Sequence, residues 1–291
     1  MILTRLLGDT PLAEFIDRHL FRLPFARPGG AAAFADLGTP EVLAAILASK
    51  DPDVMVARQG RRWDGTGTPT FAQAEAQRAE GYTVLVRHAE RSHPGIGALA
   101  EEFRAAFGAP VNVHLYRTPP GQSGFGWHYD VEEVFLLQTR GTKTYSLRKN
   151  SVHPWPLLET MPRDLGFERE VTPVMECALA AGDWLYIPAG TWHVAKAGAE
   201  DSITLAVGVM SPAAIAIYDF LRKRLLELPM WRQRLPAAGE AGGAPEMIEA
   251  GYRELFKSLG KDLARTLDDV EVVKAFLDSR RNEPPHPGAG N

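Results

Sequence analysis

The sequence predicts a mainly β core with helices packed on either side. Three observations carry this. From Val111 the apolar pattern changes from a repeat near 3.6 to a repeat of two. From there to Val209 the runs are short and separated by Gly/Pro turns, as in a closed or double-sheet all-β core. Before Val111 and after Ser211 the apolar residues return to helical spacing. A chain of 291 residues with 45% hydrophobic and 23% charged residues can bury a substantial core in one large domain or two ordinary ones.

The same composition excludes several classes. A net charge of -4 and a pI near 6.1 give no support for a polyanion-binding surface, so no direct nucleic-acid binding is expected. One cysteine, Cys177, excludes an intrachain disulfide and fits a reducing compartment. Beside Met175 and Leu179 it reads as a buried thiol rather than a nucleophile. No apolar stretch is long enough to span a bilayer, and Met1-Ile-Leu-Thr-Arg5 lacks the apolar run of a signal peptide. The expected location is cytoplasmic, without membrane contact.

Taken in order, Thr10-Pro11 and Thr39-Pro40 each place a capping residue before a proline at the first helical position. Behind them Leu12, Phe15, Ile16 and His19 share a helical face, as do Val42, Leu43, Ile46 and Leu47. Residues 53–57 and 83–87 read as strands, 71–80 and 94–107 as helices ended by Gly81 and Gly108. On the strand from Val111, Asn112, His114 and Tyr116 take one face and Val111, Val113 and Leu115 the other. Residues 136–138 and 142–148 suggest a hairpin about Arg140-Gly141. The proline-bearing segment 154–173 is expected over the mouth of a site. Strands at 184–187, 193–195 and 203–209 complete the core. Ser211-Pro212 returns the chain to helix, with further helices at 246–259 and 268–280. The organisation expected is a β-core domain with N-terminal helices over 1–210, a helical region over 211–281 and a disordered Pro/Gly-rich tail over 282–291.

The chemistry sits in Gly126-Trp-His-Tyr-Asp130 and in Pro188-Ala-Gly-Thr-Trp-His193. In a strand, residues i and i+2 project together, so His128 and Asp130 reach one point in space. His193, arriving from a neighbouring strand, completes two imidazoles and a carboxylate on one side of a metal. Such a set leaves coordination positions open and suits non-haem Fe(II) oxygen chemistry.

Three segments in order carry a family likeness: Asn112 to Asp130, Glu133 to Lys143, and Gly182 to His193. They resemble the cupin-type JmjC oxygenases, and most closely the branch that hydroxylates ribosomal proteins. The resemblance runs over residues 1 to 210. It implies a double-stranded β-helix of roughly eight strands, a relative of the jelly roll, with Fe(II), 2-oxoglutarate as cosubstrate, and O2. It places the iron ligands, and so the catalytic centre, at His128, Asp130 and His193. It sets Lys143 against the distal carboxylate of 2-oxoglutarate and Tyr116 in hydrogen-bonding reach of the same group. Two positions depart from the pattern: His114 stands where the family often has Asn, and Thr144-Tyr145 where it usually has an aromatic pair. Against the resemblance, the winged-helix module that follows the family's barrel looks shortened, with about 80 residues after position 210.

The residues themselves leave alternatives open. Lys143 shares a strand face with Tyr145 and Leu147; it is either a cation deep in the core or an exposed turn lysine. Arg117, beside Tyr116, is the next cation in line. His114 reads equally as a cosubstrate contact or a core histidine. Thr204, with Ser202, is a further candidate for cosubstrate contact. Trp127 and Trp192 either wall a substrate cleft or fill the core. The stripe Ile215, Tyr218, Leu221, Leu225 and Leu228 marks a homodimer face or a helix docked on its own barrel. Three functions follow: hydroxylation of a protein or peptide side chain, perhaps of a ribosomal protein; hydroxylation of a small molecule or peptide natural product; or metal binding without turnover.

Overall fold

The computed structural model describes residues 1–65, 68–162 and 167–281; the tail expected to be disordered, 282–291, lies outside the described residues. The chain divides into two compact units, one ending at Ser211 and the other starting at Pro212. Among its described residues the first unit holds eleven strands: β1 (Phe25–Arg27), β2 (Asp53–Arg58), β3 (Arg61–Arg62), β4 (Thr83–Arg87), β5 (Val111–Thr118), β6 (Glu133–Arg140), β7 (Lys143–Arg148), β8 (Pro173–Leu179), β9 (Trp184–Ile187), β10 (Trp192–Ala197) and β11 (Ser202–Val209). They form an eight-stranded sheet in the order β1-β9-β6-β11-β5-β4-β2-β3 and a three-stranded sheet in the order β10-β7-β8. Every pairing is antiparallel.

The period of two decides which side chains meet. On the large sheet, Val113 and Leu115 of β5, Phe135 and Leu137 of β6, Trp184 and Tyr186 of β9 and Leu205 and Val207 of β11 face one core. That core is closed by helices α1 (Ile2–Leu7), α2 (Leu12–Arg18), α3 (Pro40–Leu47) and α5 (Pro94–Phe107), whose Leu6, Phe15, Leu43, Ile96 and Phe103 pack into it. The Trp184 indole also donates to the Leu6 carbonyl at 2.8 Å, tying α1 to the sheet. The alternate residues Val134, Leu136, Leu185, Ile187 and Ala206 face the small sheet and pack with Tyr145, Leu147 and Leu179. Two sheets facing each other across such an interior form the double-sheet core that the strand pattern predicts and the double-stranded β-helix that the resemblance implies.

Helix starts follow the expected chemistry at one of two places. The Thr39 hydroxyl accepts from Val42 N at 3.2 Å, with Pro40 at the first turn. Thr10 makes no such cap; α2 begins at Leu12 after Pro11. Helix α4 (Phe71–Ala79) carries a full capping box between Thr70 and Gln73.

One expectation is corrected. Residues 136–138 and 142–148 do not form a hairpin: β6 pairs with β9 and β11, whereas β7 pairs with β8 and β10. The Arg140-Gly141 turn instead carries the chain from one sheet to the other. Gly141 stands at φ 64°, and a Cβ there would collide with the Asp201 carbonyl. A sharp turn at a glycine with positive φ is equally a hairpin signal and a barrel corner.

The second unit comprises α6 (Ile215–Leu225), α7 (Pro245–Asp268) and α8 (Val270–Arg281), with α7 running nine residues past the expected end at 259. Its small core joins Leu221, Leu225 and Val272, with Phe220, Trp231 and Leu263 against them. Leu221 and Leu225 of the apolar stripe are thus buried within the unit, while Ile215, Tyr218 and Leu228 stay exposed. No helix among the described residues is long and apolar enough to cross a membrane.

Candidate metal centre

His128 and Asp130 lie in the segment between β5 and β6 rather than on a regular strand, which corrects the strand reading of this motif. A single isolated bridge joins His128 to His193 at the start of β10. Two backbone hydrogen bonds make it: His128 N to His193 O at 3.1 Å and His193 N to His128 O at 2.8 Å. Gly190 N adds a third, donating to the Asp130 carbonyl at 2.8 Å. The backbone therefore stays extended at the motif and the i, i+2 side chains still project together, although the glycines at 124 and 126 interrupt the ladder. One candidate ligand atom from each of His128, Asp130 and His193 lies within 4.8 Å of the others. Asp130 Oδ2 is 3.5 Å from His193 Nε2.

Each imidazole is oriented by a main-chain oxygen. His128 Nδ1 donates to Gly126 O at 2.8 Å and His193 Nδ1 to Thr191 O at 3.0 Å. With the proton fixed on Nδ1, both Nε2 lone pairs are free for a metal, the usual role of such outer partners. Burial pushes His193 down to about 4, with the neighbouring His128 adding to the effect, so its ring is neutral near pH 7. Two imidazoles and a carboxylate converging on one point fit a divalent first-row metal with positions left open.

From this triad a cavity runs into the barrel, lined by Phe125, Val134, Leu136, Tyr145, Ala195 and Ala206 and ending on polar groups. Lys143 is at the far end, 6% exposed, and settles the two readings of this lysine in favour of the interior. Its Nζ donates to Thr118 Oγ1 at 3.3 Å and lies 5.5 Å from the Tyr116 ring centre. No carboxylate pairs with it among the described residues. Burial pushes its pKa down to about 8. In the register of β7 with β10, Lys143 opposes Ala197 and Leu147 opposes His193. Along the strand, Lys143 therefore lies four residues, about 13 Å of backbone, from the position opposite His193, and its side chain reaches back into the cavity between them.

The other sequence candidates distribute around this axis. Tyr116 lines the cavity, and burial pushes its phenol far above the ordinary range. Thr204 lines it too, its hydroxyl donating to Gln138 Oε1 at 2.8 Å. His114 projects to the same side of β5 but is not among the lining residues. Its Nδ1 accepts from His88 N at 3.2 Å, and burial holds it neutral with a pKa of about 4. Arg117 faces the other way, bound to Asp201 at 2.7 Å and Glu75 at 2.8 Å, and is excluded as the cavity's cation. Trp192 is buried, edge-on to Tyr129 at 4.7 Å, while Trp127 lies half-buried under the Arg148 guanidinium at 3.9 Å. Thr118 and Thr83 are lining residues that the motif reading missed. Thr118 was within reach, since it continues the series 112, 114, 116; Thr83, from β4, carried no such signal.

Comparisons with known proteins agree with this geometry. Residues 94–217 match the model of the JmjC domain. The chain is 31% identical over 184 residues to Ribosomal oxygenase 1 of Gallus gallus, covering 60% of this chain and 30% of that protein. It is 34% identical over 127 residues to Ribosomal oxygenase 2 of Mus musculus, covering 43% and 26%. The chain thus spans about a third or less of the length of these curated relatives. Among solved structures, Escherichia coli ribosomal oxygenase YcfD matches with a TM-score of 0.58 at 21% identity, over 86% of this chain and 66% of that one. At that identity the match speaks for the fold. Residues 94–217 of the chain thus resemble a JmjC domain, and the chain is similar in sequence to ribosomal oxygenases.

Proposed function

We propose that this chain is an Fe(II)- and 2-oxoglutarate-dependent oxygenase that hydroxylates a side chain of a protein substrate, a ribosomal protein being the first candidate. The observation that carries the reading is Lys143: a buried ammonium without a carboxylate partner among the described residues, facing a His/Asp/His cluster down one cavity. An isolated buried charge is costly, and an anionic ligand bound beside it offsets that cost. A dicarboxylate with one end at the metal and the other at Lys143 matches both ends of the cavity. One E. coli YcfD structure is described as a complex with cobalt and 2-oxoglutarate, a ligand of that chemistry.

Iron with 2-oxoglutarate supplies the oxidation when bound, coupling O2 and decarboxylation of the keto acid to insertion of oxygen into a C–H bond. The chain's own residues do the rest. His128, Asp130 and His193 present three donors fixed by backbone hydrogen bonds. Lys143, Thr118 and Tyr116 would hold the distal carboxylate. Leu136, Val134 and Ala206 keep the space between them dry, which strengthens each charge contact. A protein substrate is supported by the sequence relatives, one of which, from Drosophila sechellia, is named a bifunctional lysine-specific demethylase and histidyl-hydroxylase. A ribosomal substrate would place the enzyme in the cytoplasm. A homodimer through the second unit is part of the same proposal, supported by the exposed Ile215, Tyr218 and Leu228; light scattering reporting a monomer at micromolar concentration would remove it.

The test is succinate formation from 2-oxoglutarate by Fe(II)-loaded protein in air, with mass spectrometry of ribosomal proteins from cells with and without the gene. A lost mass of one oxygen in one ribosomal protein is the expected result. Absence of succinate with every candidate substrate would favour metal binding without turnover. Succinate formation with no change in any protein would favour a small-molecule or peptide natural product.

A further inference from the structure

A row of residues on the large sheet continues the barrel face past the cavity lining, at the metal end. Val111 and Val113 of β5, Phe135 of β6 and Val207 and Val209 of β11 pack toward the helices. Asn112, Val134 and Gly208 therefore face the barrel. Register sets these three side by side: Gly208 opposes Asn112 on one flank and Val134 on the other. Val134, and Ala206 one step inward on β11, line the same cavity as His128, Asp130 and His193. The closed end lies at the opposite end of β5, where Thr118 meets Lys143.

Two polar groups stand over that row. Glu132 lies two residues after Asp130 and directly before β6. A Cβ on Gly208 would collide with Glu132 Oε2 and lie 2.7 Å from Asn112 Oδ1, so only glycine leaves the pair its place above β11. Asn112 Nδ2 donates to Glu132 Oε1, which leaves Asn112 Oδ1 buried and without a hydrogen-bond partner among the described residues. Burial first, then the Asp130 and Glu132 carboxylates, hold the Tyr116 phenol protonated, which puts the Glu132 charge on the cavity side. The neighbouring charges are engaged elsewhere. Arg87 of β4 is bound to Asp53 at 2.9 Å, and Glu90 accepts from Val113 N at 2.9 Å and meets His88 Nδ1 at 3.3 Å.

We propose that Glu132 and Asn112 form the subsite for the target side chain of the substrate, and that this side chain is a cation rich in N–H donors, an arginine or a lysine. The inference rests on the reading above that the substrate is a protein. In that reading the cosubstrate fills the closed end, so the target reaches the metal from the end where this row lies. A carboxylate and an amide oxygen side by side offer acceptors to the incoming group. Charge-assisted hydrogen bonds to a carboxylate are roughly twice as strong as neutral ones, which favours a cation over a neutral donor. An acidic target would meet two carboxylates, Asp130 and Glu132, and is selected against.

The experiment measures 2-oxoglutarate decarboxylation by the Fe(II) enzyme against a titration of purified total ribosomal proteins, and locates the added oxygen by peptide mass spectrometry. It compares wild type, Glu132→Gln and the exposed control Glu246→Gln in the second unit. Loss of a charge-assisted hydrogen bond should raise the apparent KM for ribosomal protein roughly ten- to a hundredfold in Glu132→Gln. The KM for 2-oxoglutarate should stay within about twofold of wild type, which a general disturbance of the site would not allow. Glu246→Gln should match wild type. The oxygen should lie on an arginine or a lysine, and the modified residue tells the two apart. An unchanged protein KM in Glu132→Gln, or oxygen on any other side chain, overturns the subsite and leaves the proposed function standing. A KM for 2-oxoglutarate that rises in parallel also overturns it, because Glu132 then shapes the cavity as a whole. Turnover in wild type that ribosomal protein does not stimulate overturns the protein-substrate reading and the subsite with it. No turnover of 2-oxoglutarate at all overturns the oxygenase reading, on which both rest.

Discussion

The two ends of the cavity are built on opposite principles. At the metal end the protein over-determines its groups: three backbone hydrogen bonds pin the segments, and two carbonyls fix the imidazole tautomers. At the closed end it leaves a group under-satisfied: Lys143 has one hydroxyl at 3.3 Å and a ring face, but no counter-charge among the described residues. The first arrangement suits a ligand held by geometry and the second a ligand held by charge. Preorganised donors lose little on binding, whereas a buried cation without a partner destabilises the empty protein and is relieved by an anion. The ends should therefore respond differently to mutation, and that difference can be broken experimentally.

The largest effect is expected at the metal end. Asp130→Ala or His128→Ala should lower turnover at least ~100-fold, since even outer-shell partners are worth 10–100-fold in metal affinity. Circular dichroism should show an unchanged fold, because both side chains are half-exposed and the pinning bonds are main-chain. Stoichiometric Fe(II) binding with normal activity in either variant would end the ligand assignment.

Next comes the closed end, where function and stability should move apart. Lys143→Met keeps the volume and removes the charge. It should abolish tight 2-oxoglutarate binding while stabilising the ligand-free protein by about 1–4 kcal/mol, the range seen when buried ionic groups become apolar. Urea unfolding of both proteins measures this; a destabilised variant would mean that the charge is satisfied by the protein itself. For comparison, Trp184→Ala, in the core behind the sheet, should cost about 3–5 kcal/mol.

The smallest effect is on pH dependence. Because folding lowers the Lys143 pKa to about 8, the unfolded chain holds that proton up to about pH 10.4 while the folded chain releases it. The unfolded state then binds more protons between these values, so this lysine's contribution to stability rises with pH across that window. The cost of burying the charge is fully present below about pH 8. The KM for 2-oxoglutarate should move the other way, rising above about pH 8 as the ammonium is lost. Lys143→Arg should flatten that rise, because a guanidinium stays charged. A flat KM between pH 7 and pH 9 in the wild type would contradict the assignment.

The ends also differed in how legible they were in the sequence. The clustering of His128, Asp130 and His193 was readable because these residues carry rare chemistry at a telling spacing, even though the His128 segment is not a regular strand. The strand periodicity of β5, β6 and β11 was readable because each separates a helix-packed face from a barrel face. Partnership between strands was not. Arg140-Gly141 turns the same way locally whether β7 returns beside β6 or crosses to the other sheet, and only long-range packing decides. Strands β1, β3 and β8 escaped notice; β1 and β3 are three and two residues long, and β8 begins at a proline on a sheet edge. Lys143 and Arg117 looked alike as cations. Which one turns inward depends on Glu75 and Asp201, neither of which is near Arg117 in sequence.

The measurement that tests the central claim most directly is an anaerobic calorimetric titration of 2-oxoglutarate into Fe(II)-loaded wild type and Lys143→Ala. A charge-assisted hydrogen bond is worth about 1.5–3 kcal/mol. The account therefore predicts one Fe(II) per chain in both proteins and 2-oxoglutarate affinity roughly ten- to a hundredfold weaker in Lys143→Ala. Equal affinity in the two proteins, with iron bound in each, would contradict it.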